Sequence, residues 1–422
     1  MNKKNLLITI SILIFSLIIV NGYFYFNKTI TLNFYSHPDK LGFLKEAIAD
    51  FEDQNRNLEI NLVELPDNTN EKYEIISSTL SLKDGRIDIV DSDVTWPAIF
   101  VNAGWVEPLD DLFTQVELDE YLASAIDSAT INNKLYGIPY RIDSGMLYYR
   151  KDLLDKYSID PPSTWEQLIK ASETIIEGEG RDDLYGYAGS WYQFEGLTCN
   201  YLEFLWSNGA DLLGDDNSLL LKDKTKALEA LQTMTDMIYK NKISPLDVSS
   251  YKSGDVRSQF SNGNLIFMRD WPAGWRVVNS PESSVDGLVE VSKLPHFNDY
   301  DSSHGTFGGW LYMVSSSSNH KEESIEFIKF LTNYEQEKNN ALLYNYLPSR
   351  KSLYEDEEVL NDMPYLQTML PYFNEAKPRP RVYNYDIISY ILQEEVTNSL
   401  KNNKTPLESV NSIYKRINEI IK

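Results

Sequence analysis

Strand-like and helix-like stretches alternate along the first hundred residues after a long apolar start. Three short runs are typical of strands, namely residues 31–35, 58–62 and 87–90. Two stretches between them carry apolar residues at helical spacing, namely 41–51 and 71–82. This strand–helix–strand–helix–strand order predicts a parallel sheet covered by helices.

The middle of the chain repeats this pattern, and the last third is mainly helical. Further strands are predicted at 145–149, 265–268 and 309–314. A long amphipathic helix is predicted over 222–240, and capping boxes at Thr164–Gln167 and Thr405–Glu408 open two more helices. Since no solenoid repeat and no low-complexity linker occurs, we expect two closely joined α/β lobes.

The first 28 residues have the pattern of a membrane segment. Lys3 and Lys4 precede the apolar run Leu6–Val20, and the aromatic residues 23–26 follow it. The stretch 6–26 is long enough to cross a hydrocarbon core of about 30 Å, and the lysines place the remaining chain outside the cell. No small-x-small cleavage site and no lipidation cysteine follows. We therefore predict an uncleaved anchor over 1–28, with a cleaved signal peptide as the alternative.

Composition narrows the possible classes of function. The chain of 422 residues carries a formal net charge of −24, which repels phosphate backbones and argues against nucleic-acid binding. The single cysteine, Cys199, excludes an intrachain disulfide, and its apolar neighbours predict a buried structural thiol. The four histidines lack metal-ligand spacing, so we expect solvated or capping roles for them and predict neither metal nor cofactor.

Residues 88–113, DIVDSDVTWPAIFVNAGWVEPLDDLF, resemble the family 1 extracellular solute-binding proteins, specifically their trehalose/maltose-binding branch. Further matching segments follow in the same order: 135–139 (LYGIP), 142–154 (IDSGMLYYRKDLL), 195–197 (EGL), 207–209 (SNG), 271–275 (WPAGW), 294–297 (LPHF), 308–310 (GGW) and 378–380 (PRP). The resemblance covers essentially all of 29–422 and rests on the ordered set.

The resemblance implies a two-lobed α/β fold of the periplasmic-binding-protein type (type II), with the ligand between the lobes. It implies that 29–140 plus 306–347 form lobe one, and that 141–305 plus 348–422 form lobe two. It further implies a non-enzymatic, monomeric receptor on the extracellular face of the membrane. Such a receptor binds a small trehalose- or maltose-like oligosaccharide and delivers it to the permease subunits and ATPase of an ABC importer.

A protein binds sugar hydroxyls with carboxylates, amides and guanidinium groups, and binds the apolar sugar faces with aromatic rings. Asp93 follows a predicted strand, at the end where open α/β sheets bind ligands; its alternative role is to cap the next helix. Trp96 either faces the cleft or packs in the core. Asp143 stands where the family places a ligand-binding aspartate, with a surface turn as the alternative. Arg141 occupies a position that is often aromatic or apolar in relatives, and it binds a hydroxyl or pairs with Asp143.

Trp271 and Trp310 are the predicted stacking platforms, with the protein core as the alternative place for each. Gly309, before Trp310, allows the backbone to approach a ligand closely. By resemblance, Arg379 is a ligand arginine, held on a stiff segment between two prolines, with Arg381 as the alternative. Asp39 offers a further carboxylate from the first strand–helix loop. Ser81 replaces an arginine contact of some relatives, so that interaction is expected to be missing here.

Two other functions remain open from the sequence. In the first, the chain is a sugar-sensing receptor subunit, and the same cleft reports the ligand to a membrane kinase. An uncleaved anchor is compatible with that role. Alternatively, Asp93 and Asp143 act as the two carboxylates of a glycoside hydrolase. The chain contains no hydrolase motif, and the resemblance favours a binding protein.

Overall fold

The computed structural model describes residues 29–214, 217–220, 223–297, 300 and 302–421. Its strands are β1 (Ile30–Ser36), β2 (Leu58–Glu64), β3 (Ile89–Asp93), β4 (Thr130–Ile131), β5 (Lys134–Leu135), β6 (Ile138–Ser144), β7 (Met146–Arg150), β8 (Tyr185–Ala188), β9 (Leu265–Asp270), β10 (Val289–Ser292), β11 (Thr306–Val314) and β12 (Lys377–Pro378). The membrane segment predicted over 1–28 lies outside these residues. None of the described helices has the length and apolar character needed to cross a bilayer.

Helices cover both faces of the sheets. They are α1 (Phe43–Gln54), α2 (Thr69–Ser81), α3 (Pro97–Ala103), α4 (Gln115–Leu118), α5 (Ala123–Ser128), α6 (Lys151–Tyr157), α7 (Trp165–Glu179), α8 (Glu195–Ser207), α9 (Lys224–Tyr239), α10 (Ser253–Ser261), α11 (Gly274–Val278), α12 (Lys321–Leu331), α13 (Tyr334–Tyr344), α14 (Glu357–Asp362), α15 (Leu366–Asn374), α16 (Tyr385–Leu400) and α17 (Pro406–Ile420). Short 3-10 turns lie at Val248–Ser250 and Lys351–Tyr354.

The first sheet has the strand order β12-β11-β3-β1-β2, and β6 also pairs with β11. Strands β1, β2 and β3 run parallel, as the alternating pattern predicts, whereas β11 is antiparallel to β3 and β6. The strand predicted at 87–90 instead runs from Ile89 to Asp93. Its last three residues, Asp91, Ser92 and Asp93, pair with β11 and are buried. The carboxyl end of β3 is thereby placed beside β11.

The second sheet has the order β10-β7-β9-β8 and forms the core of a second lobe. Here β7 is antiparallel to β9 and β10, and β8 is parallel to β9. Helix α8, buried at every position, packs against α9 and α16. Cys199 lies on α8 as a free, buried thiol, which confirms the prediction for it.

The chain passes directly between the two sheets. Gly145 is the only residue between β6 and β7, and a Cβ atom there would overlap Glu203 Oε1 and Arg269 Nη2. The chain returns through Gly305 into β11, and β12 then pairs with the start of that strand. Two α/β lobes are therefore joined by short extended segments.

The exact lobe boundaries stay predictions. After Pro348 the chain still contacts helix α13: the carboxylate of Asp356 accepts from Tyr334 Oη at 2.5 Å and from Lys338 Nζ at 3.0 Å. We propose that the segment up to α14 belongs to lobe one, since its polar contacts are to that lobe.

The two capping boxes predicted from the sequence are present. The Thr164 side chain caps α7 with Gln167, and the Thr405 side chain caps α17 with Glu408. Pro406 occupies the first turn of α17, where its missing N–H costs nothing. These local signals fix where two helices begin.

Candidate functional site

A cleft of about 760 Å³ opens between the two sheets. From the first sheet, Asp93 at the end of β3 and Trp310 on β11 line it. From the second lobe, Trp271 directly after β9 and Glu195 at the start of α8 line the opposite side. Acidic and indole side chains from both sheets thus share one opening.

The structure brings together the predicted site residues with one exception. Those that line the cleft are Asp39, Asp93, Arg141, Asp143, Trp271, Gly309, Trp310 and Arg379. Trp96 does not line it. Trp96 is buried behind Trp310, with the two ring centroids 5.6 Å apart in an edge-to-face arrangement. Whether these residues contact a ligand stays a prediction.

The Asp93 side chain closes the turn before α3, but the N-cap residue of that helix is Trp96, so the capping alternative for Asp93 is wrong and ligand contact stays a prediction. Its Oδ1 accepts from the backbone N of Thr95 at 2.9 Å and from Thr95 Oγ1 at 2.7 Å, which tightens the turn before α3. The same oxygen accepts from Arg379 Nη2 at 3.0 Å, while Arg379 Nη1 donates to Glu195 Oε1 at 2.7 Å. The guanidinium group is buried, so it neutralises two carboxylates at the base of the cleft.

Asp143 has fewer hydrogen-bond partners than Asp93, the other aspartate at the centre of the predicted site. Burial raises its pKa to about 6, although Arg141 opposes that shift. Arg141 Nη1 lies 3.8 Å from Asp143 Oδ2, which is beyond a good hydrogen bond. At pH 7 most Asp143 side chains are therefore ionised and have acceptor capacity left for a ligand hydroxyl.

Arg141 is held in place by its neighbours. Its guanidinium carbon lies 3.7 Å from the ring centroid of Tyr346, a stacking geometry favourable to arginine. Nη2 lies 3.3 Å from His37 Nε2. Position 141 therefore presents a cation stacked on Tyr346 to the cleft.

A cluster of polar residues packs around Trp310 and was not predicted from the sequence. Lys72 is fully buried, with its Nζ 4.1 Å from the Trp310 ring centroid, and this atom has no hydrogen-bond partner among the described residues. Burial lowers the pKa of Lys72 to about 8. The His37 ring contacts Trp310 at 4.0 Å and pairs through Nδ1 with Asp91. Burial lowers the pKa of His37 to about 4, so this ring is neutral at pH 7.

The Trp271 ring packs on an ion pair of the second lobe. The guanidinium carbon of Arg269 lies 3.9 Å from its ring centroid, and Arg269 Nε donates to Glu203 Oε2 at 2.7 Å. Both charged side chains are buried. The indole is only partly buried and therefore keeps surface toward the cleft.

Gly309 meets a backbone requirement that other residues cannot. Its φ of 143° is rare for residues with a side chain, and a Cβ there would lie 2.7 Å from the carbonyl oxygen of Arg141. The close pairing of β11 and β6 next to Trp310 thus depends on this glycine.

Asp39 is buried, and much of its acceptor capacity is used. Its Oδ2 accepts from the backbone N of Lys45 at 2.9 Å, in the first turn of α1, and its Oδ1 accepts from Tyr344 Oη at 3.3 Å. Tyr344 and Tyr346 also line the cleft and were not predicted, because aromatic residues in a sequence rich in them carry no distinguishing signal. Glu195 lies in a segment that resembles the family, but no role was predicted for it.

The described residues contain no group of three histidine, cysteine or acidic side chains placed to hold a metal ion. Among the four histidines, His37 alone lines the cleft. Its pairing with Asp91 is a role that the sequence did not indicate.

Comparison with known proteins gives a consistent result. A family model described as "Bacterial extracellular solute-binding protein" matches residues 36–338. A probable ABC transporter-binding protein of Deinococcus radiodurans is 28% identical over 324 residues, which is 76% of either chain. An arabinooligosaccharide-binding protein of Halalkalibacterium halodurans is 23% identical over 58% of this chain and 54% of its own length.

Solved structures share the whole fold. Maltose-bound MalE3 of T. maritima superposes with a TM-score of 0.87 at 33% identity, covering 92% of this chain and 99% of its own. A solute-binding protein of Thermotoga lettingae bound with α-D-tagatose reaches a TM-score of 0.82 at 24% identity, covering 94% and 100%.

Proposed function

The chain belongs to the bacterial extracellular solute-binding proteins, and on that premise we propose that it is the sugar-binding component of an ABC-type importer. Its ligand would be a small oligosaccharide of the trehalose or maltose kind, bound between the lobes without chemical change. The sugar-bound form would dock on permease subunits at the extracellular face of the membrane. Residues 1–28 would tether the chain to that membrane.

The convergence of Asp93, Asp143, Trp271 and Trp310 on one cleft is the observation that supports a sugar ligand. Trp271 and Trp310 come from different sheets, so a ring placed between the lobes meets an indole from each. Asp143 and the Gly308–Gly309 backbone supply polar groups beside these rings. Sugars combine apolar faces with hydroxyl rims, and this wall has both kinds of partner.

The most similar of the reported structures carries maltose, and a reported relative binds arabinooligosaccharides. Both names favour an oligosaccharide over a monosaccharide. The cleft volume of about 760 Å³ leaves room for more than one sugar ring.

Ligand binding is proposed to stabilise the closed arrangement of the lobes in a hinge motion about the short segments near Gly145, Gly305 and β12. Binding energy then favours the form that the permease recognises. A hydrolytic role for Asp93 and Asp143 has less support, because Asp93 Oδ1 is occupied by Arg379 and Thr95 and the matching family is one of binding proteins.

Isothermal titration of the full-length chain with trehalose, maltose, an arabinooligosaccharide and mannitol tests the proposal. We expect saturable binding of one oligosaccharide, and its loss in Asp143→Asn but not in Asp160→Asn, an exposed carboxylate outside the cleft. Binding of none of these sugars together with tight binding of another solute class, such as an amino acid, would refute the substrate assignment.

A further inference from the structure

A second cavity, of about 370 Å³, lies between α2 and α16. Trp96 lines it, whereas Trp310, whose ring touches that of Trp96, lines the ligand cleft. The two cavities are neighbours, and Thr69 and Glu195 line both of them. None of the roles proposed for the cleft uses the second cavity.

Aromatic rings form much of its wall. They are Tyr73, Trp96, Tyr385 and Tyr390. The Tyr73 and Trp96 ring centroids are 5.7 Å apart at an interplanar angle of 51°, so the two faces form a corner. Tyr390 is 54% exposed, which places it at the mouth of the cavity, whereas Trp96 is buried.

The charged groups of this cavity are all acidic among the described residues. Glu74, Asp386 and Glu195 line it, and no lysine or arginine does. Glu195 is compensated by Arg379, which lines the cleft instead. Asp386 is held beside the aromatic corner, because its Oδ2 accepts from Tyr73 Oη at 3.2 Å.

We propose that this second cavity binds a small organic cation with a quaternary or alkylated ammonium group. Such a group is attracted by the faces of tryptophan and tyrosine rings and by a nearby carboxylate. Its methyl groups fill the apolar corner formed by Tyr73 and Trp96, while Asp386 and Glu74 supply the opposite charge. An uncharged ligand of the same shape lacks both electrostatic contributions, and an anion is repelled by the carboxylates.

The cavity is lined from both sides of the molecule, since α2 follows the first sheet's β2 and α16 packs on α8 of the second lobe. The Asn70 amide also donates to Gln393 Oε1 at 2.9 Å across the same gap. A bound cation therefore contacts both helices at once.

Titration of the full-length chain with choline tests this site, with 3,3-dimethylbutan-1-ol as the uncharged isostere. We expect saturable binding of choline and binding of the alcohol weaker by roughly tenfold or more, because the alcohol has no cation–π attraction. Asp386→Asn keeps the shape and an acceptor for Tyr73, and we expect it to weaken choline binding at least about fivefold.

Asp160→Asn removes one exposed carboxylate elsewhere and is the matched control, expected to bind choline as the native chain does. Tyr390→Ala, at an exposed position, is the second site variant and is checked by its unfolding temperature. Equal binding of the alcohol, native affinity in both Asp386→Asn and Tyr390→Ala, or no saturation up to roughly 100 mM choline overturns the proposal. Sugar binding is measured separately, so failure here leaves the importer role standing.

Discussion

Asp93 and Glu195 share one guanidinium group: Arg379 donates to the first at 3.0 Å and to the second at 2.7 Å. Asp93 ends a strand of the first sheet, and Glu195 begins a helix of the second lobe. Glu195 is also bound by Tyr385 and by Ser389 Oγ, the latter at 2.6 Å. Arg379 thus connects the lobes at the base of the cleft.

Replacement of Arg379 by glutamine is expected to be strongly destabilising. It leaves two buried carboxylates without their cation, for which a loss of about 3–5 kcal/mol in the free energy of unfolding is expected. Arg381→Gln, two residues later, breaks an exposed pair with Asp127 and should cost less than about 1 kcal/mol. Urea denaturation of both variants measures the difference, and equal losses would contradict this role of Arg379.

Replacement of Lys72 by methionine is expected to stabilise the protein at pH 7. Nζ is buried without a hydrogen-bond partner among the described residues, so an apolar side chain of similar size should gain about 1–3 kcal/mol. The pKa of Lys72 in the folded chain, about 8, lies below its ordinary value of 10.5. As pH rises between these values the folded chain has already lost this proton and the unfolded chain has not, so the native protein gains stability.

The advantage of Lys72→Met should therefore shrink between pH 8 and about 10.5. Thermal unfolding of both proteins across this range measures it, with Lys170→Met on the exposed face of α7 as the control. A variant that is less stable than the native protein at pH 7 would show that the charge of Lys72 is needed for folding.

Asp143 should make sugar binding depend on pH. Its pKa of about 6 means that the carboxyl is increasingly protonated below that value, and a neutral acid is a weaker acceptor. If only the ionised form binds, affinity at pH 5 should be about tenfold lower than at pH 7.5. Titration calorimetry across pH 5–8 measures this, and a flat profile in the native protein would exclude Asp143 as the ionised acceptor.

The raised pKa of Asp143 also makes the free energy of unfolding depend on pH. Because the pKa of Asp143 in the folded chain lies above its ordinary value of 3.8, the folded chain holds this proton more tightly than the unfolded chain does. The contribution of Asp143 to the free energy of unfolding therefore falls as pH rises from about 4 to about 6 and is constant above. Asp143→Asn should lack this decrease, which denaturant titrations at pH 4, 5 and 7 will show.

Trp271→Ala should weaken sugar binding by at least about tenfold, because the partly buried indole would lose its stacking contact with the sugar. Trp275→Ala is the control, since Trp275 contacts Tyr365 and does not line the cleft. The two affinities are compared by calorimetry at equal protein concentration. A larger loss in the control than in Trp271→Ala would place the stacking surface elsewhere.

Many elements of the fold were predictable because their signals are local. Hydrophobic spacing placed a helix over 222–240, and the structure has α9 at Lys224–Tyr239. The capping boxes marked the starts of α7 and α17 correctly. The strand at 87–90 was misplaced, since three polar residues buried by pairing with β11 look like a loop in the sequence.

The candidate site also contains both residues that the sequence predicted and residues that it did not. Asp93, Asp143, Trp271 and Arg379 were predicted because they lie in segments that resemble a known family, and the structure places all of them on one cleft. Lys72 gave no signal, because a lysine within an amphipathic helix normally points to solvent. Only the packing of α2 against β11 shows that its ammonium group lies over Trp310.

The sequence alone determined the α/β class, the order of the elements and the types of side chain available for sugar binding, because periodicity and capping depend on residues a few positions apart. The tertiary structure alone decided which of these side chains meet. Arg379 and Asp93 are 286 positions apart and are joined only by sheet pairing. Trp96 and Trp310 likewise pack edge to face and yet line different cavities, which no local pattern encodes.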